Sequence, residues 1–154
     1  MRNGLYNTER SMMMKGEKFP EKHGPGAASD DKISQKVMAH AKNDELPCAV
    51  AFKIAEELQK SPAEIGRTVD LLNLKLIKCQ LGLFGYKPEK KIVKAAATQD
   101  PDLQKAIRAA LKNDKLACRD AWEIALRFEV SKMAVSAVCE AMKIKIKPCQ
   151  LGAF

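Results

Sequence analysis

Residues 54–65 read IAEELQKSPAEI and contain the clearest local helix signal in the chain. Its first half ends an amphipathic helix near Gln59, and its second half starts another helix at Ser61. Serine is a favoured N-cap, Pro62 suits the first helical position, and Glu64 stands where a glutamate completes a capping box. The pattern therefore predicts two helices joined by a short turn.

The same pattern returns 70 residues further on, where residues 124–135 read IALRFEVSKMAV. Residues 33–84 align with residues 103–154 without a gap, and 16 of the 52 aligned pairs are identical. The clearest shared block is Cys79-Gln80-Leu81-Gly82 followed by Phe84, which recurs as Cys149-Gln150-Leu151-Gly152 followed by Phe154. An alignment of this kind indicates an internal duplication.

Each copy is expected to hold three helices followed by a short strand, which makes the chain all-α in class. In copy one, helix 1 is predicted over residues 32–41, helix 2 after a cap at Asp44, and helix 3 after the cap at Ser61. Asn73 suits a left-handed residue, and Leu74-Lys75-Leu76 alternates as a strand does. Copy two repeats the scheme with caps at Asp100, Asp114 and Ser131 and a strand at Ile144-Lys145-Ile146.

The predicted organisation has four parts. Residues 1–31 are polar, are broken by glycine and proline, and are expected to form a disordered arm. Residues 32–85 and 100–154 are the two repeats, and residues 86–99 form a lysine-rich connector whose part from Lys90 to Ala97 is expected to be helical. We expect the strands that lead into the two Cys-Gln-Leu-Gly blocks to pair with each other across a pseudo-twofold axis.

The segment from helix 2 to helix 3 resembles the helix-turn-helix superfamily. That motif has a small residue, an apolar residue, a capping Ser or Thr and a β-branched residue at fixed spacing. These positions hold Ala55, Leu58, Ser61 and Ile65 in copy one and Ala125, Phe128, Ser131 and Val135 in copy two. The turn departs from the pattern, because Gln59 and Glu129 stand where glycine is usual. The resemblance implies DNA binding with helix 3 in the major groove, as in winged and related modules.

Net charge gives a second reason to expect a polyanion partner. The chain carries a net +8, of which residues 103–154 hold +5 and residues 31–85 only +1. A basic face is the expected footprint of nucleic-acid binding.

The candidate DNA-binding residues lie on the outer face of each helix 3 and on the strands. The helix candidates are Arg67 and Thr68 in copy one and Lys132, Ser136 and Lys143 in copy two. The strand candidates, which alternate with apolar residues and would meet phosphates, are Lys75, Lys78, Lys145 and Lys147. Glu64 and Asp70 would oppose binding by the first copy.

Four of the five cysteines recur in the duplication: Cys48 with Cys118, and Cys79 with Cys149. They could form a four-thiolate metal or iron–sulfur site between the copies, although no Cys-x-x-Cys pair is present. Cysteine is also a common small buried residue, and Cys139 aligns with the inward-facing Val69. We therefore predict structural cysteines, no metal and no cofactor.

Other functional classes find little support in the sequence. No catalytic triad, paired carboxylates or phosphate-binding loop stands out, so the chain is not expected to be an enzyme. It has no apolar stretch of membrane-spanning length and no apolar signal segment near its start, and we expect it in the cytoplasm with reduced cysteines. The leading hypothesis is a transcriptional regulator that binds duplex DNA, as a monomer or homodimer. The alternatives are a protein–protein interaction module and a cysteine-based metal or redox sensor.

Overall fold

The computed structural model describes residues 30–153, so the predicted arm falls almost wholly outside the described residues. The described chain is mainly helical, as expected, with six helices and four strands of two or three residues. It divides into two compact units, Met1–Ile77 and Lys78–Phe154. The second unit therefore includes the segment of residues 78–85, which the repeat alignment assigns to copy one.

The described part of the first unit contains three helices and two strands. In chain order they are α1 (Asp31–His40), β1 (Glu45–Pro47), α2 (Cys48–Leu58), α3 (Pro62–Leu71) and β2 (Lys75–Ile77). The two strands are parallel, with Glu45 opposite Lys75 and Leu46 opposite Leu76. Ile33, Leu46, Ile54 and Ile65 are fully or almost fully buried and form the centre of this unit.

The second unit contains elements of the same kinds in the same order. They are α4 (Pro101–Ala110), β3 (Lys115–Leu116), α5 (Cys118–Arg127), α6 (Lys132–Ala141) and β4 (Lys145–Ile146). Each begins 70 residues after its counterpart in the first unit. Strands β3 and β4 are parallel, with Lys115 opposite Lys145 and Leu116 opposite Ile146.

The predicted N-caps are confirmed for the first helix of copy two and for the third helix of both copies, and the structure adds a cap at Asp30 that was not predicted. The Asp30 and Asp100 carboxylates accept backbone N–H groups at the starts of α1 and α4. Ser61 accepts the Glu64 N–H while the Glu64 carboxylate accepts the Ser61 N–H, which is the complete capping box. Ser131 accepts the Ala134 N–H in the same way, but Ala134 offers no carboxylate in return.

The predicted start of helix 2 is wrong in both copies. Asp44 and Asp114 do not cap a helix, because each has a positive φ, 62° in both cases. The chain then runs extended into β1 or β3, and the helices begin at Cys48 and Cys118. Burial of Leu46 and Leu116 on these strands, together with pairing to β2 and β4, outweighs the local capping signal.

The predicted pairing of the two strands that follow each third helix is also wrong. Strand β2 pairs with β1, and strand β4 pairs with β3, each within its own unit. The sequence signal for β1 and β3 is too short to notice, because these strands are three and two residues long. Strands β1 and β3 pair with the backbone N–H and C=O groups of β2 and β4, so these groups need no partner in the other unit.

The turn between the second and third helices adopts a left-handed backbone conformation although it contains no glycine. Gln59 and Glu129 adopt the left-handed conformation, with φ of 53° and 54°. Gly82 and Gly152, in the repeated blocks, also have positive φ, 75° and 78°. A Cβ on Gly82 would lie 3.2 Å from atoms of Met133 and Val93, whereas a Cβ on Gly152 would meet nothing.

The connector from Lys90 to Ala97 is not helical, contrary to expectation. Its backbone N–H groups find partners elsewhere: those of Ile92 and Val93 donate to the Gly82 carbonyl, and that of Ala96 donates to the Ala137 carbonyl on α6. Val93 is buried. Because Gly82 and Ala137 already accept these N–H groups, the segment does not need helical hydrogen bonds to pair them.

The core of the second unit includes residues of the segment 78–85 as well as residues of its three helices. Cys79 and Leu81 are buried in one cluster with Leu103, Ile107 and other side chains of α4 to α6. Among residues 30–153, none of the helices combines the length and the apolar character that a membrane span requires.

Candidate nucleic-acid interface

A group of exposed lysines surrounds strands β3 and β4. We call it the lysine cluster, and its members are Lys112, Lys115, Lys143, Lys145 and Lys147. Lys115 and Lys145 are directly opposite in the strand register. Lys112 exchanges two backbone hydrogen bonds with Lys115, and the Lys147 N–H donates to the Leu116 carbonyl. The backbone of this small sheet therefore holds the Cα atoms of four of these lysines close together, and Lys143 lies two residues before Lys145 in the chain.

The buried residues of the two strands anchor the cluster. Leu116 is fully buried and Ile146 almost so, while the lysines on either side of them are exposed. This is the alternation expected of a strand with one face on the core. Within the described residues, none of the five lysines forms an ion pair.

The equivalent positions of the first unit have a different charge. There Glu45 lies opposite Lys75, so the strand pair carries opposite charges. Asn73 and Ile77 occupy the positions of Lys143 and Lys147. The five positions carry +5 in the second unit and +1 in the first. The same contrast holds for whole units, because residues 78–154 hold 15 basic and 8 acidic side chains, a net +7.

Like charges placed directly opposite each other in a sheet destabilise it. The second unit tolerates such a pair at Lys115 and Lys145, whereas the first unit avoids it with Glu45. A bound polyanion would remove the repulsion, since each phosphate would neutralise a neighbouring ammonium group.

The outer face of α6 is not open in the way that a reading helix requires. The segment from Gln80 to Ala96 lies along it: the Lys132 ammonium donates to the Gln80 side chain at 3.4 Å, and Lys91 forms an ion pair with Glu140. Lys132 also lies 4.2 Å from the centroid of the Trp122 ring. These contacts occupy a side chain that the helix-turn-helix resemblance would assign to DNA.

Two predicted contact residues do not lie on the surface. Ser136 is 0% exposed on α6, and Thr68 is 2% exposed on α3, where its hydroxyl donates to the Glu64 carbonyl. The prediction that these side chains face solvent is wrong, because the helical positions lie closer to the packed side than the spacing suggested. Asp70, expected to oppose DNA from the surface, is also buried.

The remaining predicted residues are exposed but do not form one group. Lys143, Lys145 and Lys147 belong to the lysine cluster. Arg67 is exposed on α3, and Lys75 is exposed on β2 opposite Glu45. Lys78 is exposed at a left-handed position, with φ of 52°, at the start of the second unit.

Lys112 and Lys115 complete the cluster and were not among the predicted residues. The alignment of the two copies contained a sign of one of them. Lys115 aligns with Glu45, so the charge at this position is reversed in the second copy. This charge reversal indicates a binding surface only when strand β3 is known, because the strand places Lys115 beside Lys145.

The cysteines are described best as packed thiols. Burial raises the pKa of the Cys79 and Cys118 thiols, and it raises the pKa of Cys139 to about 11. A buried thiol with a raised pKa is mostly protonated at neutral pH, which weakens it as a nucleophile and as a metal ligand. Within residues 30–153, no group of three or more Cys, His, Asp or Glu side chains is arranged to hold a metal ion.

The repeated glutamines have local partners. Gln80 accepts the Lys132 ammonium, and the Gln150 amide donates to the Cys118 sulfur at 3.4 Å. Gln150 also lies next to Cys149, whose sulfur accepts the Leu151 N–H. These contacts give the Cys-Gln-Leu-Gly blocks a structural role in the second unit.

Comparison with known proteins gave no match: no protein-family model, no curated protein and no solved structure matches this chain.

Proposed function

We propose that this chain is a DNA-binding protein and that its second unit binds the phosphate backbone of duplex DNA through the lysine cluster. The observation that carries the proposal is the in-register pairing of Lys115 with Lys145, flanked by three further lysines. Phosphate contacts supply most of the sequence-independent affinity of a protein for DNA, because each one releases condensed counterions.

We further propose that the two units are duplicated helix-turn-helix modules and that the protein regulates transcription. Two features support the modules. The elements recur at a spacing of 70 residues, and the turns at Gln59 and Glu129 adopt the left-handed conformation that glycine usually supplies in this motif. Ser61 and Ser131 cap the third helix of each unit, as the motif requires.

The way in which DNA is contacted differs from the usual docking of this motif. Residues 80–96 cover the outer face of α6, so this helix is not proposed to read bases. Arg67, exposed on α3, is the residue proposed for a base contact. Since backbone contacts carry no sequence information directly, we expect binding with weak sequence preference from the second unit.

The test is a titration of duplex DNA at several salt concentrations, followed by fluorescence anisotropy. The double variant Lys115→Gln and Lys145→Gln removes two cluster charges. The matched control, Lys53→Gln with Lys105→Gln, removes two exposed lysines outside the cluster. The slope of log K against log salt is negative, at about −0.9 per phosphate contact. We expect it to become less steep by about 1.8 in the cluster variant and to change little in the control.

Equal losses in both variants would mean that net charge, and not the cluster, drives binding. No binding at low salt would refute the proposal as a whole.

A second candidate function is contact with another protein, and one observation favours it. Leu126 is 81% exposed and Val130 is 38% exposed, at the end of α5 and in the turn that follows. Leu126 and Val130 line one groove, and contiguous exposed apolar surface marks protein interaction sites. If a second copy covers this patch, sedimentation velocity should show a dimer that the Leu126→Lys variant dissociates, whereas a monomer at all concentrations would exclude that partner.

A further inference from the structure

A cavity of about 740 Å³ opens in the second unit, beside the C-terminal half of α6 and strand β4. Small-molecule sites in proteins typically measure about 300–1,000 Å³. Much of its wall is apolar and is formed by Leu83, Phe84, Cys139, Ile144, Ile146 and Ala153. A cavity of this size and lining suits a small molecule with an apolar body.

One polar group in the wall has no partner. Ser136 lines the cavity and is 0% exposed, and its hydroxyl makes no hydrogen bond within the described structure. More than about 90% of buried polar groups in proteins are paired. A helical hydroxyl can donate to the carbonyl four residues earlier, as Thr68 does to Glu64, but Ser136 does not. The hydroxyl is not reached by solvent, so a molecule in the cavity would pair with it by displacing the side chains that cover it.

The charge around the cavity is positive. Lys143, Lys145 and Lys147 line it, and all three are exposed members of the lysine cluster. The remaining charged pair in the wall, Lys91 with Glu140, is neutral as an ion pair. The molecule that fits is thus an anion at one end and apolar along its body.

The first unit does not offer the same features. Gly66 stands at the position of Ser136, Asn73 at that of Lys143, and Ile77 at that of Lys147. The hydroxyl and two of the three cations are absent there, so the site belongs to the second unit and the first unit serves as an internal control.

We infer that this cavity binds an amphipathic carboxylate. The apolar body packs against Phe84, Ile144 and their neighbours, and the carboxylate oxygens accept from the lysine ammonium groups and the Ser136 hydroxyl. Binding would neutralise lysines that the proposed function assigns to DNA, so the ligand would compete with DNA. That competition rests on the proposed function, whereas the cavity and its ligand do not.

The test uses decanoate, below the concentration at which it forms micelles, added to the full-length ¹⁵N-labelled chain without DNA. Backbone amide shifts are followed by NMR. We expect saturable shifts at Ser136, Cys139 and Ile144 and none at their counterparts Gly66, Val69 and Leu74. We expect 1-decanol, which has the same chain length without the charge, to bind at least tenfold more weakly.

Two variants test the polar contacts. Ser136→Ala removes one oxygen atom at a helical position that alanine suits, so the fold is retained, and we expect decanoate to bind several-fold more weakly. Lys145→Gln with Lys147→Gln should weaken it at least tenfold, while Lys53→Gln with Lys105→Gln should not. Equal shifts in both units, equal affinity for decanol, or unchanged affinity in the Ser136→Ala variant would each overturn the inference. Because DNA is absent, failure here leaves the DNA proposal standing, and the reverse also holds.

Discussion

At the scale of single residues, the most informative difference between the two units is the pair opposite each other in each small sheet. Glu45 and Lys75 attract in the first unit, whereas Lys115 and Lys145 repel in the second. The backbone arrangement is the same, so the exchange of one side chain changes the sign of the interaction. Proteins commonly keep a destabilising residue at a functional position, so the repulsion between Lys115 and Lys145 is expected if these lysines bind a ligand.

The variant Lys115→Glu should therefore make the second unit more stable and a poorer binder. It recreates the first unit's pair, and exposed pairs of opposite charge contribute about 0.2–1 kcal/mol. Urea unfolding followed by the fluorescence of Trp122, the only tryptophan, reports on this unit. Lys105→Glu on α4 is the control with the same charge change, and a stability no higher than that of the control would contradict the account.

Glu129 gives a second prediction at this scale. Its φ of 54° is strained for any residue with a Cβ, and glycine adopts it without strain. We expect Glu129→Gly to raise the free energy of unfolding by up to about 1 kcal/mol. Glu123→Gly, the same change at an exposed position inside α5, should instead lower it by about 1 kcal/mol. If both variants lose stability equally, the left-handed turn is not a source of strain.

At the scale of elements, the third helices differ at their N-termini. Helix α3 has a full capping box from Ser61 and Glu64, whereas α6 has only the Ser131 half. Replacing an N-cap serine with alanine costs about 1 kcal/mol. We expect this cost for Ser131→Ala by Trp122 fluorescence, and a larger loss for Ser61→Ala, measured as faster amide exchange throughout α3. Equal effects would mean that Glu64 adds nothing to the cap.

The capping box also predicts a pH dependence that is confined to α3. The Ser61 backbone N–H, with the Ser61 hydroxyl, holds the pKa of the Glu64 carboxyl below its usual value. A lowered pKa in the folded state means that the carboxylate stabilises the helix at neutral pH and ceases to do so as the pH falls through that lowered value. Protection of the Ser61 amide should fall in the same acidic range, whereas Ser131, which lacks this partner, should show no such change.

Sequence patterns predicted the helices well and the small sheets poorly. The caps at Ser61, Asp100 and Ser131 were predicted because residue type and spacing act over three or four positions. The strands at Glu45 and Lys115 depend on partners 30 residues away, and no local pattern of two or three residues reveals them. For the same reason the lysine cluster was predicted only in part, from Lys143, Lys145 and Lys147.

The burial of Ser136 shows a second limit of the sequence patterns. Helical spacing places it beside Lys132 and Lys143, on the side away from Val135 and Val138, which suggested an exposed face. The spacing does not reveal that residues 80–96 return across that face. A covering segment of irregular structure has no periodicity of its own, so its position follows from the three-dimensional structure alone.

At the scale of the whole molecule, the net charge is distributed very unequally between the two units. Nearly all of the net charge, +7 of +8, belongs to the second unit. Two units with the same order of elements can differ in charge, because surface charges change the affinity for polyanions more than they change folding. The two units are therefore expected to contribute unequally to binding.

The proposed carboxylate site connects the cavity to this basic surface. If decanoate and phosphate share Lys143, Lys145 and Lys147, decanoate should lower the affinity for DNA in proportion to its occupancy of the cavity. In the Ser136→Ala variant, which leaves the cluster intact, DNA affinity should be unchanged and the effect of decanoate reduced. Decanoate that weakens both proteins equally would show that it acts outside the cavity.

If the lysine cluster binds the DNA backbone, the affinity for DNA must depend on salt through these lysines. Duplex DNA of mixed sequence is titrated with the wild-type chain, the Lys115→Gln and Lys145→Gln double variant, and the Lys53→Gln and Lys105→Gln control. We expect a steep negative slope of log K against log salt for wild type and control, and a slope less steep by about 1.8 for the cluster variant. A slope that is the same for all three proteins, or no binding by the wild-type chain at low salt, would contradict it.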